Sequence, residues 1–190
     1  MASTADSVRG VRGVASASPL LIDIRAAPQE LGTVELMVRR PAVDEREVVD
    51  EAELDLEEGL VGDNWRARGR SGGRRPANPD AQITVMSSRA IALAAGDRDR
   101  WALAGDQLYL DLDLSGDNLP PGTRLEVGSA VIEVTAEPHT GCKKFAARFG
   151  LETLEVFNSP EGRALNLRGI NTRVVEPGTV RVGDVVRKLG

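Results

Sequence analysis

Apolar and polar residues alternate along Gly32-Thr33-Val34-Glu35-Leu36-Met37-Val38, the period-two signature of a half-buried strand, and Pro41 ends it. A second strand is predicted from Glu47-Val48-Val49 to Leu54-Asp55-Leu56, its acidic residues forming a solvated outer face. Gly59-Leu60-Val61-Gly62-Asp63 supplies a tight turn, and residues 66–79 are too rich in Arg, Gly and Pro for a regular element. Strand character returns in Gln82-Ile83-Thr84-Val85-Met86. Ser87 or Ser88 is placed to cap a helix over residues 89–95, its hydroxyl meeting an orphan N–H, and a short helix follows near Trp101.

Leu108-Tyr109-Leu110-Asp111-Leu112-Asp113-Leu114 then alternates strictly, with its leucines on one face and Asp111 and Asp113 on the other. Two further strands, Arg124-Leu125-Glu126-Val127 and Ala130-Val131-Ile132-Glu133-Val134-Thr135, flank Gly128-Ser129, which reads as a hairpin turn. Residues 142–149 have helical spacing, with Phe145 and Phe149 on one face, and 153–157 form a second short helix. The chain closes on strands at 169–175, 180–182 and 184–186, separated by Pro177-Gly178 and Gly183-Asp184. Many short strands, Gly/Pro turns and few helices predict a mainly β fold, a closed or nearly closed barrel with short peripheral helices. Closure also removes the exposed edges that so many strands create. The expected organisation is a loosely ordered tail over 1–30 and one domain over 31–190.

With aromatics at 3 %, Val, Leu, Ile and Ala must fill most of the core. One cysteine excludes an intrachain disulfide and any multi-cysteine zinc or iron–sulfur site, which suits a reducing, cytoplasmic setting. A net charge of -5 argues against a nucleic-acid partner. No apolar run reaches the roughly 18 residues a membrane helix needs, and Gly and Ser interrupt the N-terminal stretch where a secretory signal would lie.

Chemistry concentrates in Glu137-Pro138-His139-Thr140-Gly141-Cys142-Lys143-Lys144-Phe145, between a strand and a helix. A thiol at a helix start, beside Lys143, Lys144 and Arg148, is favoured as thiolate, the form that attacks and ligates. A protonated His139 would act in the same sense, and a neutral one could serve as general base. Gly141 would let a bulky partner approach the sulfur. The bland alternative makes Cys142 a small buried hydrophobe and His139 a surface or structural residue. The arginines of 66–75 could close over an anion, or could simply be solvated; no aromatics interleave with them, which weakens a single-strand reading.

From Gly32 to Leu189 the order of segments resembles the MOSC domain family, named for the C-terminal domain of molybdenum cofactor sulfurase. The matching pieces are Gly59-Leu60-Val61-Gly62-Asp63, Gln82-Ile83-Thr84-Val85-Met86-Ser87, Gly105-Asp106-Gln107-Leu108 and Ser115-Gly116-Asp117-Asn118-Leu119-Pro120-Pro121-Gly122. They continue in Leu125-Glu126-Val127-Gly128, His139-Thr140-Gly141-Cys142-Lys143-Lys144-Phe145, Arg168-Gly169-Ile170 with Arg173-Val174-Val175, and Gly178-Thr179-Val180-Arg181-Val182-Gly183-Asp184.

The resemblance implies a MOSC-type β-barrel whose cysteine, here Cys142, carries sulfur as a persulfide or ligates molybdenum in a bound molybdopterin cofactor. It further implies that Lys143, Lys144, Arg148 and Arg168 hold the cofactor's phosphate, with Asn118 and Thr140 donating to phosphate or pterin. Larger members carry a pyridoxal-phosphate desulfurase domain or a β-barrel partner domain. With about 30 residues ahead of the match neither is expected, so pyridoxal phosphate is not expected to bind and sulfur or electrons must come from another protein. Three functions stay open: a cofactor or sulfur carrier served by a donor protein, a molybdenum-dependent reductase of N-hydroxylated compounds working with a flavin or iron–sulfur reductase, and a non-catalytic interaction module. Oligomeric state is not readable from the chain.

Overall fold

The computed structural model describes residues 21–69 and 75–190. Seven strands close a barrel: β1 (Leu31–Arg39), β5 (Ile83–Ser87), β6 (Leu108–Asp111), β7 (Arg124–Val127), β8 (Ala130–Val134), β9 (Ile170–Glu176) and β11 (Val185–Leu189). Round the barrel the order is β11-β7-β8-β9-β5-β6-β1, and β1 pairs back with β11 to complete the ring. β2 (Glu47–Val49) extends β1, while β3 (Glu51–Asp55), β4 (Gly59–Leu60) and β10 (Gly178–Arg181) form a separate small sheet. The single strand expected over 47–56 is therefore two strands in two sheets. Asp50 breaks the run, its carbonyl accepting from Val182 N (3.0 Å) rather than continuing the first ladder.

β5 and β6 run parallel, which requires a crossover; α3 (Ser88–Ala95) and a 3-10 helix (Arg98–Ala104) provide it. Those helices and α4 (Lys143–Phe149), α5 (Leu151–Asn158) and α6 (Pro160–Ala164) cover one outer wall of the barrel. The covered strands are apolar on both faces. Val85, Leu108 and Leu110 fill the barrel, whereas Met86 and Tyr109 point outward into a second core with Ile91, Trp101, Phe145 and Phe157. Tyr109 Oη is satisfied there by the Trp101 carbonyl at 2.9 Å.

Four further expectations need correction. Ser87 holds the cap position of α3 but its hydroxyl makes no capping bond. The strand at 108–114 ends at Asp111, although Leu112 and Leu114 still reach the core. Residues 21–30 are not loosely ordered as expected, because α1 (Ile22–Arg25) packs Leu21 and Ile24 into the second core; the rest of the expected tail, residues 1–20, lies outside the described residues. A short helix, α2 (Trp65–Arg68), anchored by buried Trp65, also takes in the first three residues of the 66–79 stretch expected to be irregular. Among the described residues no helix is long and apolar enough to cross a membrane.

Candidate functional site

Val85 pairs with Leu108 of the parallel β6 on one side and with Ile170 of the antiparallel β9 on the other, so both strands begin beside it. There the Asp106 carboxylate, fully buried, accepts from Arg168 Nη1 at 2.6 Å, across a sequence separation of 62 residues. His139, on the loop leaving β8, places Nε2 3.6 Å from the other Asp106 oxygen. The Arg168 guanidinium also lies over the Phe145 ring, 5.1 Å from its centre, which ties it to α4.

Arg168 is one of three arginines held by consecutive carbonyls at the end of the 3-10 helix. Leu103 O accepts from Arg148 (2.7 Å), Ala104 O from Arg168 (3.2 Å) and Gly105 O from Arg40 (2.9 Å). A helix end leaves such carbonyls without internal partners and carries partial negative charge, so cations gather on it. Arg40 is itself locked by Asp63, which takes Nε at 2.8 Å and Nη2 at 2.9 Å while also accepting from Trp65 N. The Gly-Asp turn at 62–63 thus serves to bury a counter-ion for Arg40.

A cleft of about 200 Å³ opens beside this cluster, lined by His139, Thr140, Asn158, Arg163, Asn166 and Arg168 among others. Two buried nitrogens of its wall, Arg168 Nε and His139 Nδ1, have no hydrogen-bond partner. Asn158, which no sequence motif marked, clamps the loop ahead of the cysteine: its amide accepts from Gly141 N (3.1 Å) and donates to Gly141 O (3.2 Å). Gly141 is not an opening for a ligand as expected. A Cβ there would stand 2.5 Å from Leu154 Cδ1, so α5 occupies that side. Cys142 follows at the N-cap of α4 and is exposed. The buried-hydrophobe alternative for this cysteine is therefore wrong.

The remaining sequence candidates separate. Lys143 and Lys144 are exposed on α4, and Lys144 and Arg148 approach Asp44 to 3.8 and 3.6 Å. Asn118 spends both amide N–H bonds on the Gln29 and Asp113 carbonyls and accepts from Lys188, leaving no donor for a phosphate or pterin. Within the arginine-rich stretch, Arg66 pairs with Glu57 at 3.1 Å, while Arg70 and Arg74 lie outside the described residues.

His139 makes no hydrogen bond to the Cys142 thiol, so the expected direct pair is not formed. Its imidazole is pushed down to about 4 from 6.5, chiefly by burial and then by Arg168, with Asp106 only partly opposing. It is neutral at neutral pH and lends the cysteine no positive charge. Because the unfolded chain binds this proton between 6.5 and 4 and the folded one does not, stability is intact above the upper value and falls with pH through that window. The loss should approach about 3 kcal/mol at the acid end. Denaturant midpoints against pH, compared with a His139→Gln variant, check this: the variant should lack that part of the slope.

A closed β-barrel with a helical layer, an exposed cysteine at a helix start and a cleft lined by Arg168 and His139, the two neighbours of buried Asp106, describe the class of protein. The model of the MOSC domain matches residues 72–187, and the chain belongs to that family. Solved structures agree in fold. The YuaD protein from Bacillus subtilis is 21 % identical, with 82 % of this chain and 94 % of that one covered at a TM-score of 0.55. YiiM from Escherichia coli is 20 % identical over 83 % and 70 % of the two chains, TM-score 0.54. YiiM from Geobacillus stearothermophilus is 15 % identical over 86 % and 75 %, TM-score 0.52. No curated protein sequence matches the chain.

Proposed function

We propose that this MOSC domain uses Cys142 as a sulfur carrier or metal ligand beside a cleft that grips an anionic cofactor, the molybdenum cofactor being the group the family implies. The carrying observation is the exposed thiol at the α4 N-cap, two residues after Thr140, which lines a cleft whose buried Arg168 and His139 nitrogens lack partners. Among the described residues no group of His, Cys, Asp and Glu forms a metal site by itself, so a metal here would take Cys142 from the protein and its other ligands from the cofactor. Such a cofactor, when bound, would supply the redox or sulfur-accepting centre.

The chain's own residues do the rest. Arg163 and Arg168 offer guanidinium donors to anionic oxygens, Thr140 and Asn166 offer uncharged ones, and Asn158 fixes the backbone that presents the thiol. In sulfur carriage, the Cys142 thiolate attacks the outer sulfur of a donor protein's persulfide, and the donor leaves as a thiolate with no net oxidation. Delivery reverses that exchange toward an acceptor.

Wild type and Cys142→Ser, each exposed to a persulfide donor and to the cofactor and then gently purified, test the reading by metal analysis and intact mass. Wild type should carry molybdenum or one additional sulfur, and the variant neither. A wild type that carries neither, or a variant that carries as much, overturns it.

A further inference from the structure

His139 lines two clefts, and the second differs in character from the one that holds Arg163 and Arg168. It measures about 230 Å³ and shares Pro138, His139 and Asn166 with the first, but none of the described residues lining it is a lysine or arginine. Buried Leu119, Val134 and Ile170 supply its apolar part, and Glu137 adds a carboxylate. Asn171, on β9, also lines it and is 4 % exposed. Its amide nitrogen donates to the Glu137 and Pro138 carbonyls at 3.1 and 3.3 Å, which fixes which end of the amide is oxygen. That oxygen accepts from no described residue, yet it is not sealed from solvent, so it opens onto the cleft its residue lines. Asn166 repeats the arrangement. Its nitrogen is spent on the Leu114 carbonyl at 2.8 Å, and its oxygen accepts from no described residue.

From this geometry we propose a binding site for a guanidinium group, formed by Asn166, Asn171 and Glu137 beside the apolar Leu119, Val134 and Ile170. It does not rest on the reading of Cys142, which is not among the residues lining this cleft. Two amide oxygens and a carboxylate accept hydrogen bonds and cannot donate them. They select a ligand rich in N–H groups, and the carboxylate favours a cation among such ligands, because bonds from a charged donor are the stronger ones. An amide oxygen held in place by its own nitrogen's bonds has little freedom left to lose on binding. Guanidinium is planar, fans its donors toward several acceptors and is weakly hydrated, so its faces suit an apolar wall better than an ammonium would. The His139 imidazole is neutral at neutral pH and does not repel a cation. Of the cations on adjoining clefts, Arg168 is matched by Asp106 and Arg173 by Glu133 and Asp80, while Arg163 is exposed to solvent.

Titration of the full chain with methylguanidinium at constant ionic strength, followed by the methyl resonances of Leu119, Val134 and Ile170, tests the site. Saturable shifts at those methyls are expected. Methylurea has the shape without the charge, and methylammonium the charge without the planar fork; each should bind about fivefold more weakly or worse. Glu137→Gln, a change at an exposed side chain, should weaken binding about threefold, and Asn171→Leu about tenfold or more. Cys142→Ser should bind methylguanidinium as wild type does, so failure of the sulfur or molybdenum reading and failure of this one are separate results. Tighter binding of N-acetylarginine amide identifies an arginine side chain of a polypeptide as the ligand, and equal or weaker binding a free guanidino compound. The proposal is overturned by shifts that do not saturate, by methylurea or methylammonium binding as tightly, by Glu137→Gln or a folded Asn171→Leu binding like wild type, or by loss in Cys142→Ser. Should Asn171→Leu fail to fold, the Glu137→Gln and methylurea comparisons decide.

Discussion

Replacing Asp106 by asparagine should destabilise the domain by about 3–5 kcal/mol, because it leaves a buried guanidinium without its counter-charge. The pair is short, at 2.6 Å, and the carboxylate has no solvent contact, so water cannot substitute for it. The amide keeps the shape of the carboxyl, which confines the change to charge and hydrogen bonding. For a domain of this size the loss corresponds to roughly 6–20 °C in Tm. Arg168→Met in the same background should recover part of it, since removing both partners of a buried pair is far cheaper than removing one. Calorimetry on the single and double variants checks both statements. A single variant within 1 °C of wild type, roughly the scatter of surface changes, would show that the ion pair does not hold these segments together. Asp106 also raises the His139 pKa, so the variant's imidazole should become still harder to protonate.

Gly169→Ala should be at least as damaging, with a loss above about 4 kcal/mol and little soluble folded protein. Gly169 has φ 107, in a region that side-chain-bearing residues rarely enter, and a Cβ would overlap the Val85 carbonyl oxygen. The same methyl would stand 3.2 Å from His139 Nδ1. Relief would require β9 to move away from β5, whose ladder runs through Val85 and Ile170, and so would open the barrel beside the cleft. Far-ultraviolet circular dichroism and expression yield measure the outcome. Near-native folding of Gly169→Ala would mean that β5 and β9 tolerate a spacing the structure does not show.

The strands at 32–38, 82–86, 124–127, 130–135 and 169–175 were legible in the sequence, because each is half-buried or bounded by Gly turns that its own residues dictate. The Gly128-Ser129 turn needs a positive φ, 59° at Gly128, that glycine adopts freely. Other elements were misread where neighbours decide. Residues 47–56 have one continuous pattern, yet the break at Asp50 is set by Val182, over 130 positions away. Ser87 suits a cap by type, but the hydroxyl is buried beneath the helical layer and bonds to nothing.

At the site, Cys142 was legible because a lone thiol among basic residues at a helix start is a local pattern. Its support was not. Asn158 is 17 residues from Gly141, and Asp106 is 62 from Arg168. Short-range chemistry along the chain determined strands, turns and the placing of the lone thiol at a helix start. Which faces are covered, which charges share a burial site and whether His139 is protonated were decided only when remote segments desolvated one another, and desolvation depends on everything packed around a group rather than on its sequence neighbours.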